Sequence, residues 1–129
     1  MINTVTLVGR LVNDPVVKEV SGGKSVCEVK LALTRPFKNA NNQYDTDFVK
    51  VVFWEYLALN LNEYCKKGSV LGVNARLQAR SIKIGDNFLD VIDVIAEHIV
   101  FIGNTFKGFE SKTDEKIEDI PLDALDELK

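Results

Sequence analysis

The stretch FVKVVFW, residues 48–54, decides the fold because its side chains separate onto two different faces when the chain is extended. Successive side chains of a strand point to opposite sides. One side is entirely apolar and is the predicted core face: Val49, Val51 and Phe53. The other side interleaves two large rings with a positive charge: Phe48, Lys50, Val52 and Trp54. The pattern therefore predicts a strand with one buried face and one face available for binding.

The flanking sequence predicts the remaining elements. Alternating or β-branched runs indicate further strands at residues 3–12, 26–34, 69–80 and 88–102. Apolar residues at helical spacing predict a helix at residues 55–67, capped by Gly68. Three strands, a helix and two strands, in this order, are typical of one all-β fold. That fold is the five-stranded oligonucleotide-binding (OB) barrel, with one helix between strands 3 and 4.

The connections carry their own predictions. Gly9 is expected to mark a bend or bulge in the first strand, and residues 16–20 to extend the first strand pair. Residues 35–45, which contain Pro36 and several Asn residues, are expected to form a long polar loop. Residues 81–87 are expected to form a hairpin tip around Gly85-Asp86.

Charge divides the chain into two segments. Residues 1–103 carry 12 Lys and Arg against 11 Asp and Glu, whereas residues 104–129 carry 4 against 8. The first segment is the predicted barrel domain. The second is acidic and poor in apolar residues, which predicts a disordered tail. Because the barrel is nearly neutral, a nucleic-acid site on it must gather its cations on one face.

Composition excludes several other classes of function. Cys27 and Cys65 are too few for a disulfide framework and match no metal motif, so both are expected to be reduced core thiols. His98 is the single histidine, and the GGKS run at residues 22–25 lacks the spacing of a phosphate-binding loop. We therefore expect no enzyme, no metal and no cofactor. Without a signal peptide or a membrane-spanning run, we expect a cytoplasmic, nucleoid-associated protein and no membrane contact.

The rings and charges of the third strand suggest a way to grip single strands. Aromatic planes can stack on any base, and Lys50 can face a phosphate. Phe37 and Tyr44 are candidates for exposed stacking in the polar loop. Four cations near the loops are candidates for phosphate contacts: Arg35, Lys38, Arg80 and Lys83. As the structural alternative, Phe48 and Trp54 would pack under the helix or at a subunit interface.

Four segments resemble, in order and spacing, the bacterial and phage single-stranded DNA-binding protein (SSB) family. They are LVGRL at residues 7–11 followed by Asn13-Asp14-Pro15, LALTRPF at 31–37, FVKVVFW at 48–54 and EYCKKGS at 63–69. The resemblance covers about residues 2–103. It implies an OB barrel that assembles as a homotetramer, or as a dimer, and wraps single-stranded DNA during replication, recombination and repair.

The resemblance also implies roles for individual residues. The family's base-stacking positions fall on Phe37, Phe48 and Trp54, while a fourth falls on Ile82, which cannot stack. Basic positions of the family fall on Lys50, Lys67 and Arg80. Other family cations are replaced here by Val49, Tyr56, Gln78 and Ser81, and Tyr56 is expected to add stacking in place of charge. With so few cations, we expect modest affinity and a shallow salt dependence.

The end of the chain departs from the family. Family members close with an acidic tip that ends in Pro-Phe and docks replication and repair proteins. The corresponding residues here are Glu118, Asp119, Ile120, Pro121 and Leu122, so Leu122 replaces the Phe, and residues 123–129 follow. The resemblance implies that residues 118–122 dock replication and repair proteins. The alternative hypothesis is that a short helix bearing Leu122, Leu125 and Leu128 engages a different partner.

The function predicted from the sequence is thus sequence-tolerant, non-enzymatic binding of single-stranded DNA. Two alternatives remain open at this point. One is a primosomal-type accessory module of the same fold, whose main contacts are with proteins. The other is an RNA-binding barrel, which would contact the 2′-hydroxyl.

Overall fold

In a computed structural model, residues 1–103 form a barrel of β-strands with one helix. The elements are β1 (Val5–Leu11), β2 (Lys18–Val20), β3 (Lys24–Lys38), β4 (Tyr44–Trp54), α1 (Tyr56–Tyr64), β5 (Val70–Ile84) and β6 (Asn87–Gly103). The structure describes residues 1–103. The predictions for residues 104–129, a disordered acidic tail with a partner-binding tip, fall outside the described residues.

The strands close into a barrel. Their order is β1-β5-β6-β4-β3-β2, and a further pairing of β1 with β3 joins the two ends of the sheet. Strand β2 is a short addition that pairs only with β3, so five strands make the barrel. The helix lies between β4 and β5, which are the third and fourth barrel strands. The predicted OB barrel is therefore confirmed.

One junction of the barrel is short and parallel. Strands β4 and β6 pair at Val51 with Val94 and at Val52 with Ile95, whereas the other junctions are antiparallel. We refer to these two residue pairs as the seam. Parallel pairing joins strands that are distant in sequence, so the seam unites the two halves of the barrel.

The core lies on the face that the alternation in residues 48–54 predicts. Val51 and Phe53 are fully buried, and Ala58 and Leu61 of helix α1 pack into the same cluster at one end of the barrel. Both cysteines are free and buried as expected. Burial is the main cause that raises the pKa of each thiol, so both favour the neutral form.

Gly9 does not mark a bulge. Its register with β5 is continuous, from Val5 opposite Ala75 to Arg10 opposite Val70. The position instead requires glycine for space, because a Cβ there would lie 2.8 Å from the Ala32 carbonyl oxygen. Gly9 thus allows β1 to pass close to β3 where the barrel closes.

The helix ends earlier than predicted. Its last residue is Tyr64, and Cys65 is already extended (φ −124°, ψ 153°). Gly68 is therefore not a helix cap but lies in a turn, with φ of 93°. The Gly68 N–H donates to the Leu11 carbonyl (2.9 Å), and the Leu11 N–H donates to the Ser69 carbonyl (2.8 Å). These two bonds tie the turn after the helix to β1, so the chain follows β1 at Gly68 and Ser69 and does not continue the helix.

The long polar loop predicted at residues 35–45 is mostly strand. Strand β3 continues to Lys38 and β4 begins at Tyr44, which leaves only five connecting residues. Asn39 organises this turn: its Oδ1 accepts bonds from the N–H groups of Asn41 (2.9 Å) and Gln43 (3.0 Å), and its Nδ2 donates to Asp45 (2.9 Å). Such side-chain bonds to backbone replace ladder bonds at a turn. The hairpin tip is also tighter than predicted, with only Gly85-Asp86 between β5 and β6.

Candidate nucleic-acid interface

Strands β3, β4, β6 and β5 lie side by side and turn a continuous surface away from the core. We call this surface the outer face. On it, Lys30 lies opposite Lys50 and Ala32 opposite Phe48, while Val26 lies opposite Trp54. The rings and the charge of residues 48–54 therefore stand in one line along the middle of the sheet.

The floor of the outer face is apolar. Ala32, Val52 and Ile95 are all buried, although their side chains point away from the core. Val52 and Ile95 meet at the seam, and Ile95 also lies opposite Arg76 on β5. Apolar side chains thus form the surface between the larger rings and the charges.

Trp54 stands at the end of β4 with 36% of its surface exposed. The next residue, Glu55, has a φ of 56°, which is rare for residues with side chains. Ser25 holds this conformation: the Glu55 N–H donates to the Ser25 carbonyl (2.8 Å), and the Ser25 N–H donates to Glu55 Oε1 (3.1 Å). The sharp turn ends β4 directly after Trp54, so the indole is left on the outer face.

Phe48 is half-buried, and neither Phe48 nor Trp54 belongs to the hydrophobic core cluster. Of the two structural alternatives for these rings, packing into the core beneath the helix is therefore not observed. The other alternative, burial of the two rings at a subunit interface, depends on how several copies of the chain assemble.

The other predicted stacking residues lie around this line. Phe37 is exposed near the end of β3, and Tyr56 is exposed at the start of α1. Tyr44, at the start of β4, is half-buried, with the Lys38 ammonium 5.8 Å from the centre of its ring. At that distance the cation is attracted to the ring face. Lys38 therefore lies beside the Tyr44 ring, and its role as a phosphate contact stays a prediction.

One carboxylate, that of Glu28, lies beside the central lysines and contacts Lys50. Lys50 Nζ lies 3.6 Å from Glu28 Oε2. The two residues are diagonal neighbours on adjacent strands, because the residue directly opposite Glu28 is Val52. Lys30 and Lys50 lie directly opposite each other, and like charges in this arrangement repel. A phosphate between the two lysines would relieve that repulsion.

Arg80 is paired with an acid across the β5–β6 hairpin. Its Nε lies 2.6 Å from Asp93 Oδ2, and its Nη2 lies 3.4 Å from Asp93 Oδ1. The hydrogen bond to Asp93, together with the charge of that carboxylate, raises the pKa of the guanidinium. The charge of Glu28 also raises the pKa of Arg80, as a smaller cause.

Arg35 lies between two acids near the end of β3. It donates to both oxygens of Asp47, at 2.9 and 3.0 Å, and its Nη1 lies 3.6 Å from Asp45. The bond to Arg35 is the main cause that lowers the pKa of the Asp47 carboxyl. Asp47 lies opposite Leu33, on the parity of the core face, so this pair is separate from the outer face.

Two predicted contacts lie apart from the central line. Lys67 is in the turn after α1, where its backbone N–H donates to Asp14 Oδ1 (2.7 Å). Lys83 lies near the tip of β5, and by alternation its side chain points away from the face that carries Arg80. The structure therefore groups Phe48, Lys50, Trp54 and Arg80, and leaves Lys67 and Lys83 outside that group.

The structure also reveals features that the sequence analysis missed. Phe88 is 73% exposed and lies opposite Lys83, and Asp93 and Glu28 pair with predicted DNA contacts. A signal for Asp93 was present in the sequence. A two-residue turn at Gly85-Asp86 sets the pairing of Arg80 with Val91, and Asp93 follows two residues later on the same side.

Among residues 1–103, no group of three or more His, Cys, Asp or Glu side chains is placed to hold a metal ion. In the same residues, no helix is both long and apolar enough to span a membrane.

Comparison with known proteins places this surface in context. The model of the single-strand binding protein family matches residues 2–102. "Single-stranded DNA-binding protein B" of Bacillus subtilis (strain 168) is 40% identical over 103 residues, which cover 79% of this chain and 91% of that protein. "Single-stranded DNA-binding protein 3" of Listeria innocua is 36% identical over 114 residues, which cover 88% and 71%. A "Single-stranded DNA-binding protein" of Oceanobacillus iheyensis is 38% identical over 103 residues, which cover 79% and 64%.

Proposed function

Because this chain belongs to the single-strand binding protein family, we propose that its outer face binds single-stranded DNA without reading the base sequence. The observation that carries this proposal is the line of Phe48, Lys50 and Trp54 along β4. Two rings outside the core offer stacking planes, and the ammonium between them offers a charge for phosphate. Hydrogen bonds to base edges are not required in such a site, so it tolerates any sequence.

The proposed activity is binding without catalysis. It suits DNA replication, recombination and repair, where single strands are exposed and need protection. The proposed location is accordingly the cytoplasm, at the nucleoid. The names of the relatives favour strand binding over the accessory-module alternative.

Titration of the tryptophan fluorescence tests the proposal, because Trp54 is the single tryptophan of the chain. We expect oligo-dT to quench the emission as bases stack on the indole, and duplex DNA of equal length to leave it nearly unchanged. An RNA oligomer of the same length tests the RNA alternative. Absence of quenching, together with absence of a gel shift by oligo-dT, would refute the proposal.

The described residues 1–103 are proposed to be the DNA-binding domain, with residues 104–129 as a separate segment. The family match ends at residue 102, which supports a boundary at this point. Docking of replication and repair proteins by residues 118–122 stays a prediction.

We also propose that the chain forms a homo-oligomer, with a tetramer as the first choice and a dimer as the second. Strand β1 pairs with β3 only at Arg10 and Leu11, so the first part of β1 keeps one unpaired edge. Beside it, Val8 and Val100 are 60% and 54% exposed, on either side of Gly72. An open strand edge next to exposed apolar side chains is suited to pairing with a second copy.

Substitution of Val100 tests the assembly. We expect Val100→Asp to shift the mass measured by light scattering from that of the oligomer toward that of the monomer, because it places a charge in a buried interface. Val16→Asp is the matched control, since Val16 is also more than half exposed (62%) but lies between β1 and β2. A monomeric wild-type protein at micromolar concentration would contradict the assembly.

A further inference from the structure

The charges of the outer face are nearly balanced. Its cations are Lys30, Lys50, Arg76 and Arg80, and its carboxylates are Glu28, Asp93 and Glu97. Each of these carboxylates lies within 3.9 Å of a nitrogen of one of the cations. A phosphate that approaches this face therefore meets Lys50, Arg76 and Arg80 with their carboxylate partners already in place.

Arg80 is the most completely engaged of these cations. Arginine binds phosphate best through a fork of two parallel N–H groups. In Arg80 the edge formed by Nε and Nη2 is directed at the two oxygens of Asp93. The carboxylate thus occupies the geometry that a phosphate would use.

Asp93 and Arg80 differ in how deeply their side chains are buried. The Asp93 side chain is only 11% exposed, whereas that of Arg80 is 48% exposed. The carboxylate is therefore the deeper of the two partners, and the arginine is the one that reaches toward solvent. A strand that binds through Arg80 must either draw the arginine away from Asp93 or place a phosphate close to the Asp93 carboxylate.

Glu28 stands in the same relation to Lys50. Its carboxylate lies 3.6 Å from the Lys50 ammonium. That ammonium stands between Phe48 and Trp54, the two rings on which the proposed function depends. A cation that is already paired with a carboxylate neutralises less of the phosphate charge, so fewer of the counterions condensed on the nucleic acid are released when the strand binds. The pairs with Asp93 and Glu28 reduce the electrostatic part of strand binding.

We propose that Asp93 and Glu28 are intramolecular competitors of the DNA phosphates, and that they set the strength and the salt dependence of strand binding. This inference rests on the proposed function. It assigns to these two acids an affinity-determining role, in which they limit the electrostatic contribution and leave stacking on Phe48 and Trp54 as the main source of affinity.

Neutral substitutions of the two acids test the inference. We expect Asp93→Asn and Glu28→Gln each to tighten binding of labelled oligo-dT about fivefold near 0.1 M salt, and to steepen the slope of log K against log salt by about 0.7, the increment of one extra phosphate contact to a single strand. Glu63→Gln is the matched control. It removes the same charge from an exposed position on α1 and is expected to change binding much less.

Thermal unfolding shows whether each variant is folded, and Glu28→Gln remains an independent test if Asp93→Asn is not. Binding that is unchanged, or tightened no more than by Glu63→Gln, would overturn the inference. So would weaker binding, which would mean that Asp93 orients Arg80 toward the phosphate. Failure of the wild-type chain to bind oligo-dT would instead refute the proposed function itself.

Discussion

Replacement of Trp54 by alanine is expected to weaken binding of single-stranded DNA about five- to 150-fold, since the loss of one stacked base costs about 1–3 kcal/mol. The indole stands on the outer face, next to the turn that Glu55 and Ser25 hold in place. Because alanine offers no ring plane, the base above it loses its stacking partner. Fluorescence anisotropy of a labelled oligo-dT measures the effect without need of the tryptophan signal.

Trp54→Phe is the control for this prediction. It keeps an aromatic plane and is expected to retain most of the affinity. Chemical unfolding of Trp54→Ala is expected to show only a small loss of stability, because Trp54 lies outside the hydrophobic core cluster. Equal affinity of the alanine variant and the wild-type chain would remove Trp54 from the binding surface.

Replacement of Phe53 by alanine is expected to lower the free energy of unfolding by about 3–5 kcal/mol, the usual cost of deleting a buried ring and leaving a cavity. Phe53 has no exposed surface and packs in the cluster that helix α1 closes. A small domain has only about 5–15 kcal/mol of stability in total, so this loss brings the chain close to unfolding at physiological temperature. Urea unfolding followed by circular dichroism gives the value.

Phe53→Leu is the matched variant, because it keeps most of the apolar volume and is expected to cost less. At low temperature, where the alanine variant is still folded, we expect it to bind oligo-dT with nearly the affinity of the wild-type chain. A stability close to that of the wild-type chain would show that the position is not a core position.

The separation of these two neighbours was predictable from the sequence. Alternation in residues 48–54 assigns Phe53 to the core and Trp54 to the opposite side. In the structure Phe53 is fully buried and Trp54 is partly exposed, as predicted. The same period of two predicted the strands of the barrel, and helical spacing predicted the helix between its third and fourth strands. Local periodicity is sufficient for these features, because each depends on side chains only a few residues apart.

The ends of elements were less predictable. The helix stops at Tyr64 because Gly68 and Ser69 bond to Leu11, which is far away in the sequence. Strand β3 continues past Pro36 because Asn39 makes a compact turn from residues that read as a loop. Both outcomes depend on contacts that local patterns do not contain.

The pairing of charges was the main feature of the interface that the sequence analysis missed. The sequence identified Arg80 and Arg35 as candidates for phosphate contacts, but each meets a carboxylate 13 or 12 residues further along the chain. Such partners are set by the register of a hairpin. The overall charge led us to expect a shallow salt dependence of DNA binding. These ion pairs supply a structural reason for that expectation.

The seam between β4 and β6 has a consequence for how the barrel forms. Hairpins such as β5–β6 join neighbouring segments and close quickly, whereas the seam must bring together strands separated by the helix and by β5, at a larger cost in chain entropy. Val52 and Ile95, which form half of the seam, also form part of the floor of the outer face. A nucleic-acid strand laid across this floor would bridge the seam. By mass action, a ligand that binds only the closed barrel shifts the equilibrium toward it, so single-stranded DNA would raise the temperature at which the barrel unfolds.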